Sequence, residues 1–189
     1  MNTRGLKKAD DLLNREADRV MDVVYTSTIL ALHRNQGWGR VRISHFMDKA
    51  QQVFNECGED DTKSMIQLCD EETGIEFCNE KGECWKDDVY LNDELWKVRK
   101  AEYQKKPRAY QIAYLTRVRQ KQMEWLFPTF GASIAIALHR KEKWGYDKIN
   151  ALIGQMYDVA AEYGQNLEKL KKAIASELNA SYEDWKRGR

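Results

Sequence analysis

Apolar side chains recur at three- and four-residue steps along most of the chain, a spacing that places them on one face of an α-helix. The first stripe predicts a long amphipathic helix over residues 6–34. A second stripe predicts a helix that ends at Gly58, and a short third helix over 60–72 is closed by Gly74. The first part of the chain is therefore expected to be wholly helical.

The same spacing returns in the second half of the chain. It predicts helices over 108–127 and 129–141, separated by a kink or break at Pro128, and further helices over 146–162 and 166–178. Only two prolines occur in 189 residues, so little interrupts long helices. The last nine residues read as a polar tail from which Trp185 either docks or frays.

The middle of the chain follows a different pattern. Residues 75–85 alternate and turn at 80–82, which predicts a short β-hairpin, and a helix over 93–106 is expected to end before Pro107. The expected fold is all-α, mostly helical, with one small β-hairpin. Its predicted parts are a first helical unit (1–74), an acidic hairpin insertion (75–92), and a basic helix with a second helical unit (93–189).

An internal repeat links the two halves at an offset of 106 residues. Residues 27–58 and 133–164 align without a gap, and 11 of the 32 positions are identical. The identities concentrate in the string A-L-H-R-x-x-x-W-G. We interpret the two segments as copies of one helix–WG-turn–helix unit related by pseudo-symmetry.

Histidine and tryptophan recur within this repeat. His33 and His139 fall in the last turn of their predicted helices, where a side chain can donate to free carbonyls, so a structural role is expected. A metal or catalytic role for this pair is the less favoured alternative. Trp38 and Trp144 are expected to pack in the elbow between two helices.

The net charge of +1 hides two blocks of opposite sign. Residues 56–94 carry a net charge of −11, and residues 97–121 carry +8. Either the blocks are two recognition surfaces, or they face each other or the solvent. The acidic residues that we single out as candidates for binding a partner are Asp60, Asp61, Glu71, Glu72, Asp87 and Asp88.

All four cysteines, Cys57, Cys69, Cys78 and Cys84, fall within 28 residues, and no pair has C-x-x-C spacing. A zinc site is therefore kept only as an alternative. The N-terminus carries no secretory signal, so a disulfide framework is not expected and reduced, partly buried thiols are. We expect neither a cofactor nor a membrane-spanning segment.

Enzyme motifs are missing from the sequence, which contains no G-x-x-x-x-G-K-[ST], G-x-S-x-G or H-E-x-x-H. A nucleic-acid signal is present instead. Gly37-Trp38-Gly39 resembles the turn of a helix-hairpin-helix element, whose N–H groups face a phosphate. The second copy has Lys143 in place of the first glycine. Candidate nucleic-acid contacts are Gly37, Gly39, Arg40, Arg42, Arg99, Lys100, Lys105, Lys106 and Arg108.

Two strings resemble a pattern in small phage and mobile-element proteins of Gram-positive bacteria. These are A-L-H-R-N-Q-G-W-G-R-V-R-I and, about thirty residues later, E-E-T-G-I-E. The matching part covers roughly residues 25–77, and the family pattern is a single copy, so the duplication departs from it. In size and helical character the chain also resembles anti-CRISPR proteins that inhibit Cas9-type nucleases. That resemblance implies stoichiometric binding that prevents the engagement of target DNA.

The leading hypothesis is therefore a non-catalytic binding protein of a phage or mobile element, in its sharpest form an inhibitor of a Cas9-type nuclease. The expected partner is that nuclease or its guide complex in the bacterial cytoplasm, and a homodimer is left open. The alternative is a DNA-binding accessory protein that uses the Gly37–Gly39 turn and the basic helix. An enzyme ranks last.

Overall fold

The structure is a computed structural model that describes residues 3–57, 62–89, 91, 92, 98, 101, 102 and 105–186. Eight α-helices lie in these ranges: α1 (Thr3–Gln36), α2 (Arg40–Cys57), α3 (Thr62–Thr73), α4 (Arg108–Glu124), α5 (Leu126–Glu142), α6 (Tyr146–Glu162), α7 (Leu167–Leu178) and α8 (Tyr182–Lys186). One 3-10 turn occupies Trp85–Asp87. The prediction of a mostly helical, all-α protein is confirmed.

Two helices form the centre of the molecule. Residues 128–138 of α5 are buried on every side, and so are residues 22–32 of α1. A helix that is apolar all round belongs in a core. The helices α6 and α7 pack against α1, whereas α2 and α3 pack against α5. Each central helix is thus covered by the two helices that follow the other one along the chain.

Several hydroxyl groups inside the central helices bond to their own backbone. Thr26 Oγ1 donates to the carbonyl of Asp22 at 2.7 Å, and Ser133 Oγ donates to the carbonyl of Phe130 at 2.7 Å. Such bonds to the preceding turn satisfy a buried hydroxyl without a partner helix. The same Asp22 accepts a 2.8 Å bond from Tyr182 of α8. Trp185 is buried, so α8 docks on the core.

The break in the second half lies three residues before the predicted one. Residues 108–124 and 126–142 form two helices that separate at Trp125, where φ is −93° and ψ is 0°. Pro128 is the third residue of α5, a position where no intrahelical bond requires its missing N–H. The prediction of a kink at Pro128 is therefore wrong.

The predicted hairpin also differs from the structure. Within the described residues no β-strand forms, and the segment contains one isolated antiparallel bridge between Cys78 and Cys84. The pairing cannot extend because the 3-10 turn begins at Trp85, directly after the second bridge residue. The helix predicted over 93–106 lies largely outside the described residues.

Candidate functional site

The first tryptophan turn closes α1. Gly37 adopts a left-handed conformation with φ +63°, and the N–H of Trp38 bonds back to the carbonyl of Leu32 at 3.2 Å. Glycine suits this position because it has no Cβ to clash with the carbonyl. The chain then reverses direction and leads into α2.

The second tryptophan turn closes α5 in a comparable way. Lys143 has φ +58°, and the N–H of Trp144 bonds to the carbonyl of Leu138 at 3.2 Å. A lysine therefore holds the left-handed conformation for which the sequence offers no glycine. This conformation costs a non-glycine residue about 1–2 kcal/mol.

Each turn is also fastened by a histidine. His33 Nδ1 lies 3.1 Å from the carbonyl oxygen of Trp38, and His139 Nδ1 lies 3.2 Å from that of Trp144. A carbonyl only accepts, so Nδ1 carries the proton in both rings. This bond ties the last turn of the helix to the residue that leaves it.

The two turns meet through their tryptophans. Trp38 and Trp144 contact edge to face with ring centroids 5.7 Å apart, and Phe46 also contacts Trp38 edge to face, with centroids 5.6 Å apart. The two indoles are only 4% and 7% exposed. Arg42 lies 3.9 Å from the centroid of Trp38, and Lys148 lies 3.9 Å from that of Trp144. A cation over an indole face is a favourable contact.

Both helices that leave the turns begin without a side-chain cap. Gly39 and Gly145 have no side chain, and their carbonyls accept the first helical bonds, from Ile43 and Ile149 at 3.1 Å each. A Cβ atom built at either glycine meets nothing within 4 Å. The first-turn N–H groups are therefore open to an incoming anion.

Positive charge gathers at this end of the molecule, which we call the turn face and define by residues 37–42 and 143–148. Its exposed cations are Arg40, Arg42, Lys143 and Lys148. Glu142 pairs with Arg42 at 3.1 Å and with Lys49 at 3.6 Å, and Asp147 is an exposed acid. With Glu142 paired, the exposed surface of the turn face is basic.

Two arginines tie the central helices to the helices that cover them. Arg34 binds Glu177 at 2.6 Å, Glu162 at 2.8 Å and the hydroxyl of Tyr163 at 2.8 Å. These carboxylates raise the pKa of Arg34, and the arginine holds the pKa of Glu177 below its ordinary value. The contact joins the end of α1 to α6 and α7.

Arg140 makes the corresponding contact at the end of α5. Its guanidinium binds both carboxylate oxygens of Glu72, with Nε at 2.8 Å, and lies 3.8 Å from Glu56. Hydrogen bonding to Arg140 lowers the pKa of Glu72. Arg34 and Arg140 occupy equivalent positions in the two segments of the sequence repeat. That equivalence is the sequence signal that the two arginines have similar roles, although it does not identify their carboxylate partners.

Two of the predicted acidic contacts face solvent. Glu71 and Asp87 are exposed, whereas Asp60 and Asp61 lie outside the described residues. Glu71 and Asp87 are therefore accessible from solvent, whereas Glu72 is bound in an ion pair with Arg140.

Asp88 has a different environment. It is 6% exposed and accepts a 3.0 Å bond from Trp125 Nε1, with Lys121 Nζ at 3.5 Å. Lys121 also lies 3.8 Å from Glu83. Lys121 belongs to the basic block and Glu83 and Asp88 belong to the acidic block, so the two blocks are in contact here. Through its bond to Trp125, Asp88 also stabilises the point at which α4 and α5 separate.

The candidate basic contacts after residue 97 are only partly described. Lys105 and Lys106 are exposed in the turn before α4, and Arg108 is the first residue of that helix. Arg99 and Lys100 lie outside the described residues.

The cysteines are not four reduced thiols. Cys78 and Cys84 form a disulfide that closes a seven-residue loop, which corrects the expectation of reduced thiols there. Cys69 is buried beside Thr73, and burial raises the pKa of its thiol to about 12. Among the described residues no group of three or more metal-ligating side chains is found, and the side chain of Cys57 lies outside the described part.

A cleft of about 450 Å³ lies between α1 and the disulfide loop. An aromatic pair lines it, because the rings of Phe127 and Tyr157 pack with centroids 4.5 Å apart. Burial raises the pKa of Tyr157 to about 12. The sequence pattern did not reveal this cleft, since its lining comes from segments far apart in the chain.

Compared with protein-family models, with curated proteins and with solved structures, the chain matches none. None of the described helices combines the length and the apolar composition that crossing a membrane requires.

Proposed function

We propose that this protein is a non-catalytic binding protein whose turn face binds the phosphate backbone of a nucleic acid. One observation carries the proposal: the contact between Trp38 and Trp144 holds two uncapped helix starts and their exposed cations at one end of the molecule. Helix starts and cations both favour negative charge, and together they favour phosphate over a neutral ligand.

Rigid support for these groups strengthens the proposal. The indoles are buried and each turn has its own histidine bond, so the N–H groups are held in place before a ligand arrives. Preorganised donors lose less entropy on binding than mobile ones. Contacts with phosphate of this kind carry no sequence information, so the binding is expected to be independent of sequence.

The proposal includes a duplication. Residues 27–58 and 133–164 are taken as two copies of one helix–turn–helix unit related by pseudo-symmetry. It is supported by the matching bonds of Trp38 and Trp144, and by left-handed backbone at both Gly37 and Lys143. Both sets of features lie at the 106-residue offset of the sequence repeat.

The experiment measures binding of a fluorescein-labelled 20-nucleotide DNA by anisotropy over a salt series. In one variant Arg40, Lys143 and Lys148 are each replaced by Gln. The logarithm of affinity should fall less steeply with salt, by about one unit of slope for each phosphate that a side chain no longer neutralises.

A matched control replaces three exposed lysines away from the turn face, Lys81, Lys169 and Lys172, by Gln. This control has the same net charge as the test variant and should keep the wild-type slope. Equal slopes for the two variants would show that net charge alone, and not the turn face, attracts the nucleic acid.

A second candidate function is an anti-CRISPR-like inhibitor from a phage or mobile element that binds a Cas9-type nuclease in the bacterial cytoplasm. The exposed carboxylates of Glu71, Glu76, Glu80 and Asp87 favour it, since they can compete with phosphates in a basic channel. The Cys78–Cys84 disulfide counts against the cytoplasmic location.

Gel filtration with a purified Cas9–guide complex tests this second candidate. Co-elution that disappears when Glu71 and Asp87 are replaced by Lys would support it. Glu72 and Asp88 are left unchanged, because their side chains hold the fold. Separate elution of the wild-type protein would remove the candidate.

A further inference from the structure

A depression of about 570 Å³ lies beside the second tryptophan turn. It is lined by Glu72 from the end of α3 and by His139, Arg140 and Lys143 from the end of α5. Glu72 and Arg140 are bound to each other, so Lys143 is the cation of this lining that a negatively charged ligand can use.

An exposed aromatic ring follows the second turn. Tyr146 begins α6 three residues after Lys143, and half of it is exposed. Its ring also lies close to Gly74, the residue that follows α3, because a Cβ atom built on Gly74 would lie 3.7 Å from Tyr146 Cδ2. The ring therefore contacts the chain just after α3, two residues beyond Glu72.

The first turn offers a different set of groups. At the offset of 106 residues, Gly37 corresponds to Lys143 and Arg40 corresponds to Tyr146. The first turn therefore presents a cation at its helix start, where the second presents an aromatic ring. Both turns lead into a helix that starts at a glycine, and the second turn adds a flat aromatic surface.

We infer that the second turn binds one unpaired nucleotide of a single-stranded nucleic acid, with its base stacked on Tyr146 and its phosphate beside Lys143. This inference rests on the function proposed above and names the ligand class for the turn face. An aromatic ring beside cations is the arrangement that single strands require, since every base has a face that stacks. In a duplex both faces of each base are already covered by neighbouring bases.

The experiment compares three labelled ligands by fluorescence anisotropy: a ten-nucleotide oligo(dT), an abasic strand of equal length, and a ten-base-pair duplex. The wild-type protein should bind oligo(dT) about tenfold more tightly than the abasic strand, which has the phosphates but no bases. Equal affinity for these two strands, or tighter binding of the duplex, would overturn the inference.

Variants then test whether the difference in affinity between oligo(dT) and the abasic strand depends on the ring of Tyr146. Tyr146→Ala should lower affinity for oligo(dT) to that for the abasic strand, whereas Tyr146→Phe should keep it. Tyr157→Ala, which removes another tyrosine nearer the other end of the same helix, should leave it unchanged. Unchanged oligo(dT) binding by Tyr146→Ala would overturn the inference even if the wild-type protein prefers oligo(dT).

Two further results separate this inference from the proposal on which it rests. If the wild-type protein binds neither strand, the proposed function fails and the inference fails with it. If it binds both strands equally, with a steep salt dependence, only the stacking inference fails. Thymidine monophosphate, added as a competitor, tests whether the ligand is a free nucleotide. If it displaces labelled oligo(dT) at the same concentration as unlabelled oligo(dT) does, the ligand is a free nucleotide and the inferred binding of a strand is wrong.

Discussion

Trp38 and Trp144 lie 106 residues apart in the chain and contact edge to face, with ring centroids 5.7 Å apart and planes inclined at 74°. Each tryptophan follows a helix end, its indole lies under a cation, and its backbone carbonyl accepts a hydrogen bond from a histidine. The contact between the two indoles joins the two turns into one face.

Replacing either tryptophan by Ala should therefore destabilise the protein. Because both indoles are buried, Trp38→Ala and Trp144→Ala should each lower the free energy of unfolding by about 3–5 kcal/mol. Urea denaturation followed by circular dichroism measures this. Val41→Ala is the control, since Val41 is 70% exposed, and it should change the free energy by less than about 0.5 kcal/mol. Wild-type stability in both tryptophan variants would mean that the pair does not hold the turns together.

The ion pair between Arg140 and Glu72 should make stability depend on pH. The pKa of Glu72 is lowered in the folded protein from an ordinary value of 4.5. The carboxylate therefore contributes stability in full above that value, and the contribution is lost as the pH falls through the folded pKa. At pH 7 Glu72→Gln should cost about 1 kcal/mol, a modest figure because the pair is partly exposed.

The measurement is urea denaturation of Glu72→Gln and the wild-type protein between pH 7 and pH 3. The difference between the free energies of unfolding of the two proteins should shrink below about pH 4.5, the ordinary value from which the pKa of Glu72 is lowered. Glu71→Gln is the matched control, because Glu71 is an exposed neighbour that accepts from Gln67. A difference that stays constant across this range would contradict the assigned ion pair.

Asp88 and Asp87 should respond in opposite ways to the same substitution. Asp88→Ala leaves the fully buried Trp125 N–H without its carboxylate acceptor, which should cost about 1–3 kcal/mol. Asp87→Ala removes an exposed carboxylate and should change stability by less than about 0.5 kcal/mol. Thermal melting of the two variants decides the matter, and equal melting temperatures would refute the structural role of Asp88.

Removing the disulfide should weaken the fold without abolishing it. The Cys78–Cys84 bond closes a loop of seven residues, and loop-closure entropy for this length corresponds to about 2 kcal/mol. The double variant Cys78→Ser/Cys84→Ser should lose about that amount in urea denaturation. Dithiothreitol should expose two additional titratable thiols in the wild-type protein. No gain of thiols on reduction would show that the bond is not formed.

Substitutions at the two left-handed positions, Gly37 and Lys143, should change the free energy of unfolding in opposite directions. Gly37→Ala places a Cβ at φ +63° and should cost about 1 kcal/mol, although the space around the site is open. Lys143→Gly removes the same strain at φ +58° and should stabilise the protein by up to about 1 kcal/mol. Denaturation midpoints measure both changes, and destabilisation by Lys143→Gly would show that the lysine side chain stabilises the turn.

Much of the local structure was predictable from the sequence. Helical periodicity fixes which side chains share a face, and a glycine after the last apolar position ends a helix, so α1, α2, α3, α6 and α7 lie close to their predicted ranges. These features depend on residues within a few positions of one another. The prediction failed at Pro128 because a proline near a helix start is tolerated, so the position of the break depends on how Trp125 packs.

Periodicity along the chain is enough to predict a mostly helical protein, and the two W-G strings mark where two of its turns fall. The contact of Trp38 with Trp144, the ion pair between Arg140 and Glu72 and the burial of Asp88 are visible only once the chain is folded. Charge and periodicity are local properties of the chain. Which distant residues become neighbours is decided when the two central helices pack, each covered by helices from the other half of the chain.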